Sequence, residues 1–304
     1  MEHPTIRTLI LLLAFGVSVP SCGFLPKKGT LNTHANDPVV LVPQVYVSYL
    51  PNELAETSGL IQFRGRFWSM NDSGGKAVLY GFSRKTGNIE QQITLTNAEN
   101  RDWEALTQDN RFIYIGDVGN NSGARNDLRV YTIRKMEIPV TGDAEISPGV
   151  IHFTYADQAD PSAGGRNRSF DCEAMVADRD SLWLFTKDWN RHITKCYIMP
   201  AVPGQYVAQP VDSFPADGLI TDACLLTHRP VLVLSGYKDF SPFLWIFSGF
   251  KGNDYFGGYH QRINMPYIFG VQTEGVSLMN HDSVFISAER TDQPQRLYLL
   301  KLNE

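Results

Sequence analysis

RDWEALTQDNRFIYIGDVGNNSGARNDLRVY, residues 101–131, is the stretch whose reading decides the fold. It opens with an acidic residue, Glu104, inside a short apolar strand. A polar turn leads to a second strand, Phe112 to Ile115, which ends in Gly116-Asp117, and a third follows from Leu128 to Ile133. Short strands separated by Gly, Asn and Asp are an antiparallel meander. A meander that recurs along a chain is one blade of a β-propeller.

The opening does recur. Glu56-Thr57-Ser58-Gly59-Leu60, Asp171-Cys172-Glu173-Ala174-Met175, Thr221-Asp222-Ala223-Cys224-Leu225 and Thr273-Glu274-Gly275-Val276 each start a similar run of strands. Taking Glu56, Glu104, Glu173, Asp222 and Glu274 as equivalents gives spacings of 48, 69, 49 and 52 residues. Four-stranded blades take roughly 40 to 50. The excess falls in Arg134 to Arg168, which holds Pro139, Pro148, Pro161 and Gly164-Gly165 and reads as an insertion at a blade edge. The expectation is an all-β propeller of five four-stranded blades; six is the alternative and needs a blade hidden in the insertion. The fifth blade stops after a third strand, Leu297 to Leu302, while Gln44 to Leu50 is a strand without a blade. Pairing the two closes the ring and removes exposed sheet edges.

Composition agrees: 304 residues, 43% hydrophobic, with 25 Gly and 17 Pro, suit a turn-rich all-β chain with a large core. A net charge of -5 argues against nucleic acid as a partner. Leu9 to Val19 is an apolar run too short to span a bilayer, and Val19-Pro20-Ser21-Cys22 resembles a bacterial lipobox. The reading is a leader over 1–21, diacylation of Cys22, a flexible tether over 22–38 and one propeller domain over 39–304. That places a monomer in the bacterial cell envelope, facing the periplasm or the exterior and touching the membrane through its lipid anchor alone.

The innermost strand of each blade lines the central channel, so one repeat position makes a ring around the axis. Here the ring would be Glu56, Glu104, Glu173, Asp222 and Glu274. Carboxylates are rarely buried without partners, and two kinds of neutraliser are at hand. Lys187, Lys238 and Arg290 follow the acids of their own blades by 14, 16 and 16 residues, with Arg125 in the blade-two loop. Asp72, Asp117 and Asn121, with Asn71 and Asn120, are hard oxygen donors on Gly-rich turns and suit calcium. The same residues also form tight turns, and the ring acids could instead tie blades together. No His and Cys spacing suggests zinc. Trp68, Trp183 and Trp245 read as packing between blades. Cys172, Cys196 and Cys224 read as unpaired thiols, with a Cys172–Cys224 bridge as the alternative.

ETSGL with MNDSGG, DWEAL with YIGDVGNN and RNDLRVYTI, and RNRSFDCEAM with LFTKD resemble bacterial propeller proteins grouped with the phytase-like and SdiA-regulated families. The resemblance spans about Glu56 to Glu289. It implies a secreted propeller with a calcium-dependent acidic mouth and, in the phytase branch, hydrolysis of phosphate esters by clustered calcium ions. Phytase propellers have six blades and a denser acidic signature near the start, echoed here only by Asp157 and Asp160. Three functions follow as expectations: binding of a small or polymeric ligand at the mouth with calcium as its candidate cofactor; a calcium-dependent phosphoesterase or esterase-like hydrolase; and a protein-binding scaffold in an envelope complex.

Overall fold

Short apolar strands alternating with polar turns become five antiparallel blades set around one axis. The computed structural model describes residues 38–158, 169–226, 230–280 and 282–302, all within the unit formed by residues 34–304. The leader, Cys22 and nearly all of the tether lie outside the described residues. No helix among those described is long and apolar enough to cross a membrane.

Two short strands come first, β1 (Val39–Val40) and β2 (Gln44–Val47). Blade one is β3 (Thr57–Phe63), β4 (Arg66–Asn71), β5 (Val78–Ser83) and β6 (Ile89–Leu95). Blade two takes β7 (Trp103–Gln108), β8 (Phe112–Asp117) and β9 (Leu128–Arg134), then, after the short β10 (Ala144–Ile146), β11 (Gly149–Tyr155). Blade three is β12 (Cys172–Asp178), β13 (Ser181–Thr186), β14 (Thr194–Pro200) and β15 (Gly204–Phe214). Blade four is β16 (Leu219–Leu226), β17 (Val231–Lys238), β18 (Ser241–Ser248) and β19 (Tyr259–Asn264). Blade five has β20 (Thr273–Asn280), β21 (Ser283–Ala288) and β22 (Arg296–Lys301), and its fourth strand is β2, antiparallel to β22. The strand left over at the start of the domain thus closes the ring.

The inner strands β3, β7, β12, β16 and β20 each pack on the next, and β20 packs back on β3. They are buried almost throughout, whereas the outer strands β6 and β11 alternate buried and exposed residues, one face on a core and one in water. Five hydrophobic clusters fill the five gaps between neighbouring blades. Trp68 lies in the gap between blades one and two, and Trp183 and Trp245 pack between blades three and four. All three described cysteines are free; Cys172 sits between blades two and three and Cys224 against the cluster between four and five.

The six-bladed alternative does not hold. The described part of the insertion supplies β10, which adds in parallel to the outer edge of blade one, and β11, the fourth strand of blade two. Two further edge features have no signal in the repeat spacing: β1 adds in parallel to the outer edge of blade four, and β11 pairs in parallel with β15, joining blades two and three into one eight-stranded sheet.

Every inner strand carries a register shift near its mouth end: between Ser58 and Ile61, Trp103 and Ala105, Cys172 and Ala174, Ile220 and Asp222, and Thr273 and Gly275. Bulges re-aim side chains and tighten the local twist. In β3 the shift coincides with Gly59, which has left-handed backbone (φ +68°), and a Cβ there would collide with Leu106 of blade two. Gly59→Ala is expected to cost about 2–3 kcal/mol, from left-handed strain and overpacking together. A urea midpoint within error of the parent would refute it.

Candidate functional site

The bulges decide which acids reach the axis. In β7, β12 and β20 the extra residue is Glu104, Glu173 or Glu274. In β16 it is Thr221, whose hydroxyl donates to Thr273 O (2.5 Å). A one-residue slip turns a side chain to the other face of its strand. Asp222 is accordingly withdrawn from the cavity: it is fully buried and accepts Val276 N (2.6 Å), tying blade four to blade five. Glu56 precedes β3 and is exposed; its backbone carbonyl accepts Asp72 N (2.9 Å), and its carboxylate acts on Glu289 from outside the cavity lining. The expected ring of five acids is therefore a ring of three.

These three meet other groups in a cavity of about 170 Å³ at the mouth, to which all five blades contribute. Blade one supplies Ser58 and Asp72; blade two, Glu104 and the exposed Asn121; blade three, Glu173, Lys187 and Trp189. Blade four supplies Tyr237, and Gln272, Glu274 and Glu289 come from blade five and its flanking loops. Lys187 is the centre of charge. Its ammonium donates to both carboxylate oxygens of Glu173 (2.7 and 2.6 Å) and lies 4.8 Å from the Trp189 ring centroid and 5.3 Å from that of Tyr237. Burial alone would lower its pKa, but Glu173, Glu274 and Glu104 outweigh burial and hold it well above the ordinary range.

Lys238 and Arg290 do not join Lys187. Lys238 pairs on the surface with Asp217 (2.6 Å), and the Arg290 guanidinium donates to Gln295 (3.0 Å) and Asn52 (2.5 Å) at the blade-five rim. Arg125 has another role. Buried within the loop that follows β8, it donates to Gly119 O (2.8 Å) and to the Asp117 carboxylate (2.9 Å), and it lies 4.0 Å from Asp102. Asp117, fully buried, also accepts Asp102 N (3.1 Å), so the residue holds this loop and does not line the cavity.

Carboxyls outnumber cations here, and their proton affinities show it. Burial, reinforced by Asp72, Asp171 and Asp117 and partly offset by Arg125, pushes Asp102 up to about 6. Burial, then Asp72 and Glu56 against Lys187 and a Gln272 hydrogen bond, brings Glu289 to about 7. Burial, opposed chiefly by Lys187, brings Glu274 to about 8. For Glu104, burial and the charges of Glu173 and Asp72 drive the carboxyl well above its usual range. The thiols of Cys172 and Cys224 are pushed up to about 12 by burial, which leaves them protonated and inert.

Asp72, Asp102 and Glu104 form the tightest group: one carboxylate oxygen from each lies within 4.8 Å of the others. Of the expected metal residues, Asp72 belongs to this group, Asn121 lines the same cavity, and Asp117 is turned away into its loop. Asp102 lies just before β7 and Glu104 is the bulged residue within it, so the two acids of the DWE triplet meet at the bulged start of the strand, which reading the ring acid alone passes over. Glu289 and Trp189 sit in loops, and Tyr237 in β17 beside Lys238, at positions that the repeated acid does not mark. Gly119 packs so closely against Asp102 and Glu104 that any side chain there would enter the group.

The fold and this site define a class: a five-bladed β-propeller with a buried carboxylate and lysine mouth. No protein-family model and no curated protein matches the chain. Solved structures similar to it include a mitotic checkpoint complex (9% identity over 96% of this chain and 98% of that one, TM-score 0.43). An exo-β-1,3-galactanase from Phanerochaete chrysosporium with galactose matches at 11% identity over 85% of this chain and 63% of that one, TM-score 0.47. A protein described as exported, from Bacteroides fragilis, matches at 9% identity over 85% and 94%, TM-score 0.40.

Proposed function

We propose that the chain is a lipid-anchored envelope propeller that binds a ligand at its mouth through a calcium ion held by Asp72, Asp102 and Glu104. Glu104 carries the reading. It is 6% exposed, lines the cavity, and faces Asp72 and Glu173; a carboxylate so placed must take up a proton or a cation. Asp72 and Glu104 line the polar cavity and Asp102 stands against them; carboxylates are hard oxygen donors, and calcium accepts six to eight of these in flexible geometry. Acylation at Cys22 would hold the domain on the envelope. The likeness of its motifs to phytase-like and SdiA-regulated propellers agrees with an acidic, calcium-dependent mouth.

The test is calcium titration of chelator-treated protein by calorimetry, with thermal unfolding followed alongside. Saturable heat is expected, and at a hundredfold excess over Kd a stabilisation of about 2.7 kcal/mol, roughly 5–10 °C for a domain of this size. Asp72→Asn with Glu104→Gln should abolish both signals while leaving the circular dichroism spectrum unchanged. Absence of heat and of any melting shift in the parent protein would refute the calcium reading and leave the scaffold reading. Calcium-dependent hydrolysis of p-nitrophenyl phosphate, lost in the same variant, would instead favour the hydrolase.

A further inference from the structure

Beside the mouth lies a feature that the ion leaves unused. The hairpin joining β17 to β18 turns through Asp239 and Phe240, both with left-handed backbone (φ +48° and +62°). Two-residue turns of this geometry favour glycine in the second place, and a bulky aromatic there is an outlier. Little packing compensates: Phe240 is 62% exposed. Its ring meets Phe269 edge-on at 6.4 Å, itself 66% exposed, and Tyr267 on the same loop is 71% exposed. Gly270 N donates to Phe240 O (2.8 Å) and the Thr291 hydroxyl to Gly270 O (3.2 Å), which fastens the two loops to the blade-five turn as one ledge. The ledge borders the cavity, because Tyr237 and Gln272, on the same two chain segments, line it. Contiguous exposed aromatics with a polar surround mark an interaction surface.

The mouth says what chemistry the partner brings. Asp72, Glu104, Glu173, Glu274 and Glu289 line the cavity against one ammonium, Lys187. That ammonium is held by a carboxylate and two aromatic rings, the arrangement by which cationic ligands are recognised. We propose that the mouth face binds a cationic segment of another protein. One basic side chain reaches Glu274 and Glu289 on the blade-five wall, and a neighbouring apolar side chain lies on Phe240 and Phe269. Charge complementarity selects this occupant over a glycan, since the excess of carboxylates attracts a cation by its net charge and offers a neutral sugar hydrogen-bond acceptors alone. The inference rests on the mouth being the binding site, as proposed above, and does not depend on the ion.

The test is calorimetric titration of the full chain with the pentapeptide acetyl-Lys-Leu-Lys-Leu-Lys-amide, its Gln-for-Lys counterpart, and cellopentaose as the neutral glycan. The lysine peptide is expected to bind at least about tenfold more tightly than the glutamine peptide and to weaken with added salt. Phe240→Gly with Phe269→Ala should lower its affinity by about tenfold and leave the calcium titration unchanged. Phe240→Gly alone should raise the melting temperature by about 2–4 °C, because glycine suits the turn; a binding loss in a more stable protein is not a folding defect. Equal binding of the two peptides, binding of cellopentaose alone, no peptide binding, or a ledge variant with unchanged peptide affinity would each overturn the proposal. Peptide binding without calcium binding would sustain it while removing the ion from the mouth.

Discussion

Lys187→Met is expected to destabilise the protein by about 3–5 kcal/mol, the penalty for leaving a buried charge without its partner. Lys187 and Glu173 are 5% and 3% exposed, and Glu173 takes both of its short hydrogen bonds from this one ammonium. Methionine keeps most of the volume and removes the charge. Glu173 must then take up a proton or draw in water, with Glu104 and Glu274 adding to the repulsion. Adding Glu173→Gln to the variant should recover most of the loss, since two neutral groups of similar shape are far less costly than one stranded ion. Urea unfolding of the parent, both single variants and the double variant gives the coupling. A single-variant cost under about 1 kcal/mol would show that water already screens the pair.

The second large effect is on pH dependence without metal. Asp102, Glu289 and Glu274 have folded-state values raised to about 6, 7 and 8 from ordinary values near 4, mainly by burial. The folded state therefore binds protons that the unfolded state has released, and stability falls as pH rises. The decline should begin near pH 4, where the unfolded carboxyls ionise, and continue until the folded groups have ionised near pH 8. A tenfold change in proton affinity between the two states is worth about 1.4 kcal/mol, so the three groups together represent several kcal/mol and a fall in melting temperature on the order of 10 °C. Most proteins with paired carboxylates show the opposite slope over the acid part of this range. Calcium should remove the part of the fall that Asp102 contributes, because an ion held by Asp72, Asp102 and Glu104 takes the place of its proton. A melting temperature that climbs steadily from pH 5 to pH 8 in chelator would contradict the raised values.

Blade number, the closing strand and the insertion are legible in the sequence because they depend on strand and turn periodicity, which is written locally. The acid ring is legible only in part. Glu104, Glu173 and Glu274 fall on the bulge, but Asp222 is one residue past it, and identity of residue type across repeats carries no information about a one-residue slip. Glu56 enters the ring on its place in ETSGL, although the strand begins after it. The neutraliser is half legible: Lys187, Lys238 and Arg290 occupy similar spacings, yet only Lys187 points inward, where Glu173 faces it. The outer-edge additions β1 and β10 are two and three residues long, too short to have a period of their own.

The strand that completes blade five also sets an order in time. Gln44 pairs with Leu299, so a chain delivered from its amino end carries one half of the latch long before the other half exists. Blades one to four can assemble from neighbouring residues, but the circle stays open, with blade five limited to β20 and β21, until residues 296–301 arrive to join β21 to β2. A contact spanning nearly the whole sequence pays its loop-closure entropy last and slows the final step. The open ring is therefore the state from which this protein is most exposed to misassembly, and a chaperone that shields the unpaired edge of β21 would act at the one moment when it matters.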